Sequence, residues 1–128
     1  MHIGRNLPYP SLSQILETLG TEAILVGSAV KDPENAKDYD LVVSRKGLAN
    51  LLVQFGYFLT REQPRWYMFF TEEDGLHSFR VVDIFCGLQD IQNTAKYEQR
   101  ITYEDALEQD LHIMTIAGVE ILSYAVPS

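Results

Sequence analysis

Residues 23–43 read AILVGSAVKDPENAKDYDLVV, and the contrast between the two ends of this stretch and its middle decides the fold. Ala23-Ile24-Leu25-Val26 is an apolar run too short for a helix and made of residues that suit a buried strand. Gly27-Ser28 ends it, and a polar loop containing Asp32, Pro33, Glu34 and Asn35 follows. Residues 39–43 then read as a second strand with acid at its start. Residues two apart in an extended chain share a face, so Asp38 and Asp40 point one way and Tyr39 the other.

The flanks supply helices and more strands. Ser11 and Gln14 have the spacing of a capping box, and Leu12, Ile15, Leu16 and Leu19 fall on one helical face before Gly20 stops the helix. After the second strand, Leu48, Leu51, Leu52 and Phe55 repeat the i, i+3, i+4, i+7 spacing, with Gly56 as the expected cap. Two aromatic and β-branched runs, 66–70 and 79–85, flank Glu72-Glu73-Asp74-Gly75 in the pattern of an antiparallel hairpin. Residues 88–100 are polar and weakly periodic, and no element is assigned there. Thr102 with Asp105 caps one short helix. Runs 111–116 and 119–124 around Gly118 read as two short strands, or as one strand and a hairpin return. The expected class is α/β (α+β): a mixed sheet flanked by helices, in one domain spanning 1–128.

Composition narrows the functions. At 46% hydrophobic and 22% charged the chain is globular rather than disordered. A net charge of −8 with 10 scattered Lys and Arg disfavours nucleic acid as the main partner, because phosphate neutralisation needs clustered cations. The single cysteine, Cys86, excludes an internal disulfide. Residues 1–10 lack a secretory pattern and no apolar run approaches the roughly 18 residues of a membrane helix, so a soluble, cytoplasmic protein with no membrane partner is expected.

The third informative acid is Asp83, inside Val81-Val82-Asp83-Ile84-Phe85. A lone carboxylate among apolar neighbours is costly to bury and needs a partner. If its strand lies beside the Asp38 strand, about 4.8 Å away, three carboxylates meet at the sheet edge. Their repulsion favours a divalent cation, and an all-oxygen ligand set suits Mg²⁺, or Mn²⁺ in its place. The alternative is a structural ion pair of Asp83 with Arg65, Arg80 or a tyrosine hydroxyl. Gly27 lets a phosphate approach the backbone, and the Ser28 hydroxyl with nearby N–H groups can hold its oxygens, the more so if Ala29 and Val30 begin a helical turn.

A strand, Gly27-Ser28, nine residues, Asp38-x-Asp40 and a later strand with central Asp83 resemble the nucleotidyltransferase superfamily that includes polymerase beta. The likeness covers about residues 12–85 and is greatest to the minimal members, including antitoxins paired with helical toxins and the abortive-infection type. It implies that Asp38, Asp40 and Asp83 are catalytic and metal-binding, the first two holding two metals and the third completing the catalytic site and helping deprotonate the attacking hydroxyl. It gives Gly27 and Ser28 the terminal phosphates of a nucleoside triphosphate such as ATP. Many relatives carry an arginine shortly before the paired acids; Lys31 and Lys37 occupy that stretch here, and Lys37 is the nucleotide-binding candidate. The implied reaction moves a nucleoside monophosphate to a hydroxyl of a small molecule, protein or RNA, with pyrophosphate leaving. The alternative is a non-catalytic module of the same fold, an antitoxin-like subunit or a nucleotide sensor. The long helical region that follows in larger relatives has no counterpart before Ser128, so a protein partner is an expected contributor.

Overall fold

The Ser11 hydroxyl accepts from the Gln14 N–H at 3.2 Å while the Gln14 side chain accepts from the Ser11 N–H at 2.8 Å, so the capping box forms as the spacing implies. It opens helix α1 (Leu12–Leu19), whose Leu12, Ile15, Leu16 and Leu19 are all buried. Ser44 caps α2 (Arg45–Phe55) through the Gly47 N–H, and Thr102 caps α3 (Tyr103–Leu107) through the Asp105 N–H. The structure is a computed structural model and describes residues 9–62, 65–71, 80–87 and 101–124. The expected turn at 72–75, Phe79 and the stretch 88–100 lie outside the described residues.

The strands are β1 (Ala23–Val26), β2 (Asp38–Val43), β3 (Thr60–Glu62), β4 (Arg65–Phe69), β5 (Val81–Phe85), β6 (His112–Ile116) and β7 (Val119–Ser123). They form one sheet in the order β3-β4-β5-β2-β1-β7-β6. β1 runs antiparallel to β2 and parallel to β7, and β2 runs parallel to β5, so the sheet is mixed. The class is α+β, as the pattern of elements implies.

Alternation along the strands creates two apolar layers. Leu25, Tyr39, Leu41, Val43, Met68, Val82 and Ile84 pack under α1 and under Leu51 of α2. Ile24, Val26, Val42 and Phe85 face the other way, toward Tyr103 and Ala106 of α3. Each fully buried Leu or Ile contributes about 1.5–3 kcal/mol, which is why four such side chains dock α1 firmly. By the same alternation Asp40 and Asp83 belong to the α3 side of the sheet.

Three details depart from the sequence reading, and one open reading is settled. Leu52 remains 38% exposed, so the inward face of α2 is narrower than its apolar spacing implies. Gly56 takes φ −55°, not the left-handed conformation of a glycine stop, and the chain runs on into a 3₁₀ turn, Gly56–Phe58. Strand β3 is polar and exposed throughout, and it exists because Thr60, Arg61 and Glu62 pair with Tyr67, Trp66 and Arg65. At the C-terminal end the two open readings resolve into two strands: β6 and β7 form a hairpin turning at Ala117 and Gly118. Among the described residues no helix is long and apolar enough to cross a membrane.

Candidate functional site

At the end of β1 the chain turns through Gly27, with φ 83° and ψ −164°, a conformation essentially restricted to glycine. A 3₁₀ turn, Ser28–Val30, follows, closed by the Val30 N–H donating to the Gly27 carbonyl at 3.2 Å. Val26 pairs with Asp40, so Gly27 lies against that side chain. A Cβ at Gly27 would sit 2.6 Å from Oδ2 of Asp40. Glycine is therefore required twice, by backbone and by space.

Asp40 and Asp83 are direct partners in the parallel β2–β5 register. Both are buried, at 9% and 4% exposure, among side chains that leave little water to solvate charge. The Asp40 carboxyl is pushed up from 3.8 to about 7, first by burial, then by the charges of Asp83 and Asp38 and a hydrogen bond with Asp83, with Arg65 opposing. A hydrogen bond between two carboxyl groups needs a proton on one of them. The metal-free pair therefore holds a proton to near neutrality.

Arg65 reaches Asp83 from the neighbouring strand, Nε to Oδ1 at 2.5 Å. Its guanidinium lies 5.2 Å from the centre of the Tyr67 ring, and Glu62 stands 3.9 Å away on the outer side. This is the ion pair weighed as one alternative for Asp83. The role of Arg65 follows from hairpin register: Tyr67 pairs with Asp83, and Arg65 is on the same face two residues away. The turn residues needed to fix that register by pattern alone are polar and featureless, so the sequence left three candidate partners.

The remaining candidates sit at the end of the sheet where β2 begins. Asp38 begins β2 and is exposed, although close enough for its charge to act on Asp40. Ser28 and Lys37 are exposed on the two sides of the loop between β1 and β2. That loop is anchored from the opposite face: the Tyr39 hydroxyl donates to the Pro33 carbonyl at 2.7 Å, and Arg80 donates to the Tyr39 hydroxyl at 3.1 Å and to the Ala36 carbonyl. This anchoring was not read from the sequence, where Arg80 figured only as a partner for Asp83.

The carboxylates accommodate a divalent cation in part. Buried Oδ1 of Asp40 has no hydrogen-bond partner among the described residues, and an orphaned buried oxygen beside a second carboxyl group is a natural cation ligand. Yet among the described residues no three His, Cys, Asp or Glu side chains are grouped to hold a metal. The register thus brings two of the three acids together, Asp40 with Asp83, and leaves Asp38 at their rim. Mg²⁺ sites commonly have this composition, with water and phosphate supplying the other oxygens.

A pocket of about 720 Å³ opens on the other face, lined by Leu12, Glu34, Tyr39, Phe70 and Arg80 among others. Neither Asp40 nor Asp83 lines it, so its volume says nothing about the acid pair. No family model, no curated protein and no solved structure matches the chain.

Proposed function

We propose that the chain is a metal-dependent nucleotidyltransferase that moves a nucleoside monophosphate from a nucleoside triphosphate to a hydroxyl of a small molecule, protein or RNA. The observation that carries this reading is the meeting of Asp40 and Asp83 in register on parallel strands, with the Gly27 turn against Asp40. Asp40 and Asp83 would hold Mg²⁺ or Mn²⁺, with Asp38 at the rim, and the bound cation would supply charge to balance the entering and departing oxygens. Gly27 gives the triphosphate close access to the backbone, and the Ser28 hydroxyl and Lys37 ammonium offer it hydrogen bonds and positive charge. Asp83, paired with Arg65, would take the proton of the attacking hydroxyl. The acidic surface makes a small molecule or protein a better acceptor than RNA.

The test is nucleotide binding with and without Mg²⁺, together with transfer of an α-labelled nucleotide in extract. Binding and labelling should require Mg²⁺ and disappear in Asp38→Asn/Asp40→Asn. Wild-type binding indifferent to Mg²⁺ would sink the proposal.

A second reading is a non-catalytic module of the same fold, such as an antitoxin-like subunit or nucleotide sensor. One observation favours it: Arg65 already engages Asp83, as a structural ion pair would. Under this reading partner binding survives neutralisation of all three acids, and a nucleotide sensor binds nucleotide without turnover.

A further inference from the structure

Arg65 is held on three sides. Its Nε is 2.5 Å from Oδ1 of Asp83, its guanidinium covers the Tyr67 ring at 5.2 Å, and Nη1 stands 3.9 Å from Oε1 of Glu62. A group so constrained orients its partner rather than swinging away from it. Its place in the register matters too. Asp38 pairs with Val81 at the start of β5, whereas Trp66 pairs with Ile84 beyond Asp83, and Arg65 lies farther along still. Its backbone therefore stands on the side of Asp83 away from Asp38 and Gly27.

From this we infer that Arg65 is the positioning residue of the acid pair, setting the orientation of the Asp83 carboxylate against Asp40 for a divalent cation that enters from the Asp38 end. The inference rests on the metal-dependent reading above. Charge supports it as well as geometry: the Arg65 guanidinium offsets part of the negative charge that Asp38 and Asp83 exert on Asp40. Without Arg65 the three acids would repel one another more strongly, and Asp83 would lose the partner that fixes its rotation.

The test is Mn²⁺ binding, read from the free-ion electron paramagnetic resonance signal, for the full chain and for Arg65→Gln and Arg65→Lys. Each is measured below its own thermal transition followed by circular dichroism. Arg65→Gln should bind Mn²⁺ about 10–100-fold more weakly, the usual effect of removing a group that orients a ligand. Arg65→Lys, which keeps the charge but not the planar fork, should recover only part of the loss. Should Arg65→Gln fail to fold, Arg65→Lys carries the test, and it must bind more weakly than wild type. Unchanged or tighter binding in the variants, or full recovery with lysine, overturns the positioning role and leaves the metal reading intact. Absence of Mn²⁺ binding in the wild type sinks the metal reading itself.

Discussion

Gly27 and Asp40 are packed so closely that a Cβ on the first would lie 2.6 Å from a carboxylate oxygen of the second. This contact ties the turn after β1 to the acid of β2, and it makes Gly27→Ala a probe of both. The backbone there, φ 83° and ψ −164°, costs a side-chain-bearing residue about 1–3 kcal/mol even with space to spare. Gly118 also has positive φ, 78°, but a Cβ there meets nothing within 4 Å. Urea unfolding should therefore show Gly27→Ala losing more stability than Gly118→Ala. Under the proposed function, only the Gly27 change should also weaken Mg²⁺-dependent nucleotide binding.

The raised Asp40 carboxyl predicts an unusual pH dependence for the metal-free protein. Its folded value of about 7 lies above the ordinary 3.8, so between these values the folded state binds more protons than the unfolded one. Stability attributable to this group then falls as pH rises through that window, and its cost is complete above about 7. Asp40→Asn, whose amide can donate to Asp83, should melt higher than wild type at pH 8 and show a smaller advantage at pH 5. An Asp40→Asn melting point below wild type at pH 8 would contradict this account. Millimolar Mg²⁺ or Mn²⁺ should narrow the gap by stabilising the ionised pair in the wild type.

Much of the frame was legible because local signals agreed with each other. Ser11 with Gln14, and Thr102 with Asp105, are caps whose chemistry is complete within four residues. Asp38, Asp40 and Asp83 announced themselves as acids in or beside apolar runs. What stayed hidden depends on strand neighbours distant in sequence. Nothing in Thr60-Arg61-Glu62 alone specifies a strand; its pairing with β4 does. Arg65 was one of three candidate partners for Asp83 until register singled it out. The Tyr39 hydroxyl and Arg80 bind carbonyls of the loop before Asp38, and no periodicity encodes such contacts.

Tyr39→Phe isolates that loop anchor. The ring stays in the core beside Phe70, 5.9 Å between centroids, while the donor to Pro33 and the acceptor for Arg80 are removed. Loss of one such hydrogen bond costs about 0.5–1.5 kcal/mol. Amide exchange should accelerate across residues 31–37 more than in α1. Uniform acceleration over both would show that Tyr39 supports the core at large and not the loop that leads into Asp38.

Leu51 and Leu52 give the sharpest check on which face of α2 meets the sheet. Both fit the apolar spacing of the helix, yet Leu51 is 0% exposed and Leu52 is 38% exposed. The reason lies one turn earlier. Gly47 is pressed against the Glu22 carbonyl, where a Cβ would come within 2.8 Å, and the Ser44 hydroxyl donates to the Glu22 side chain at 2.8 Å. These contacts fix the rotation of α2 so that Leu51 points at the sheet and Leu52 turns toward its flank. Leu51→Ala should therefore lose about 2–5 kcal/mol through lost burial and the cavity left behind. Leu52→Ala, which trades a partly solvated side chain for a better helix former, should lose under about 1 kcal/mol. Equal losses in chemical denaturation would mean that α2 is rotated about its axis from the orientation described. Gly47→Ala, by forcing α2 away from Glu22, should destabilise the protein despite the helix preference for alanine.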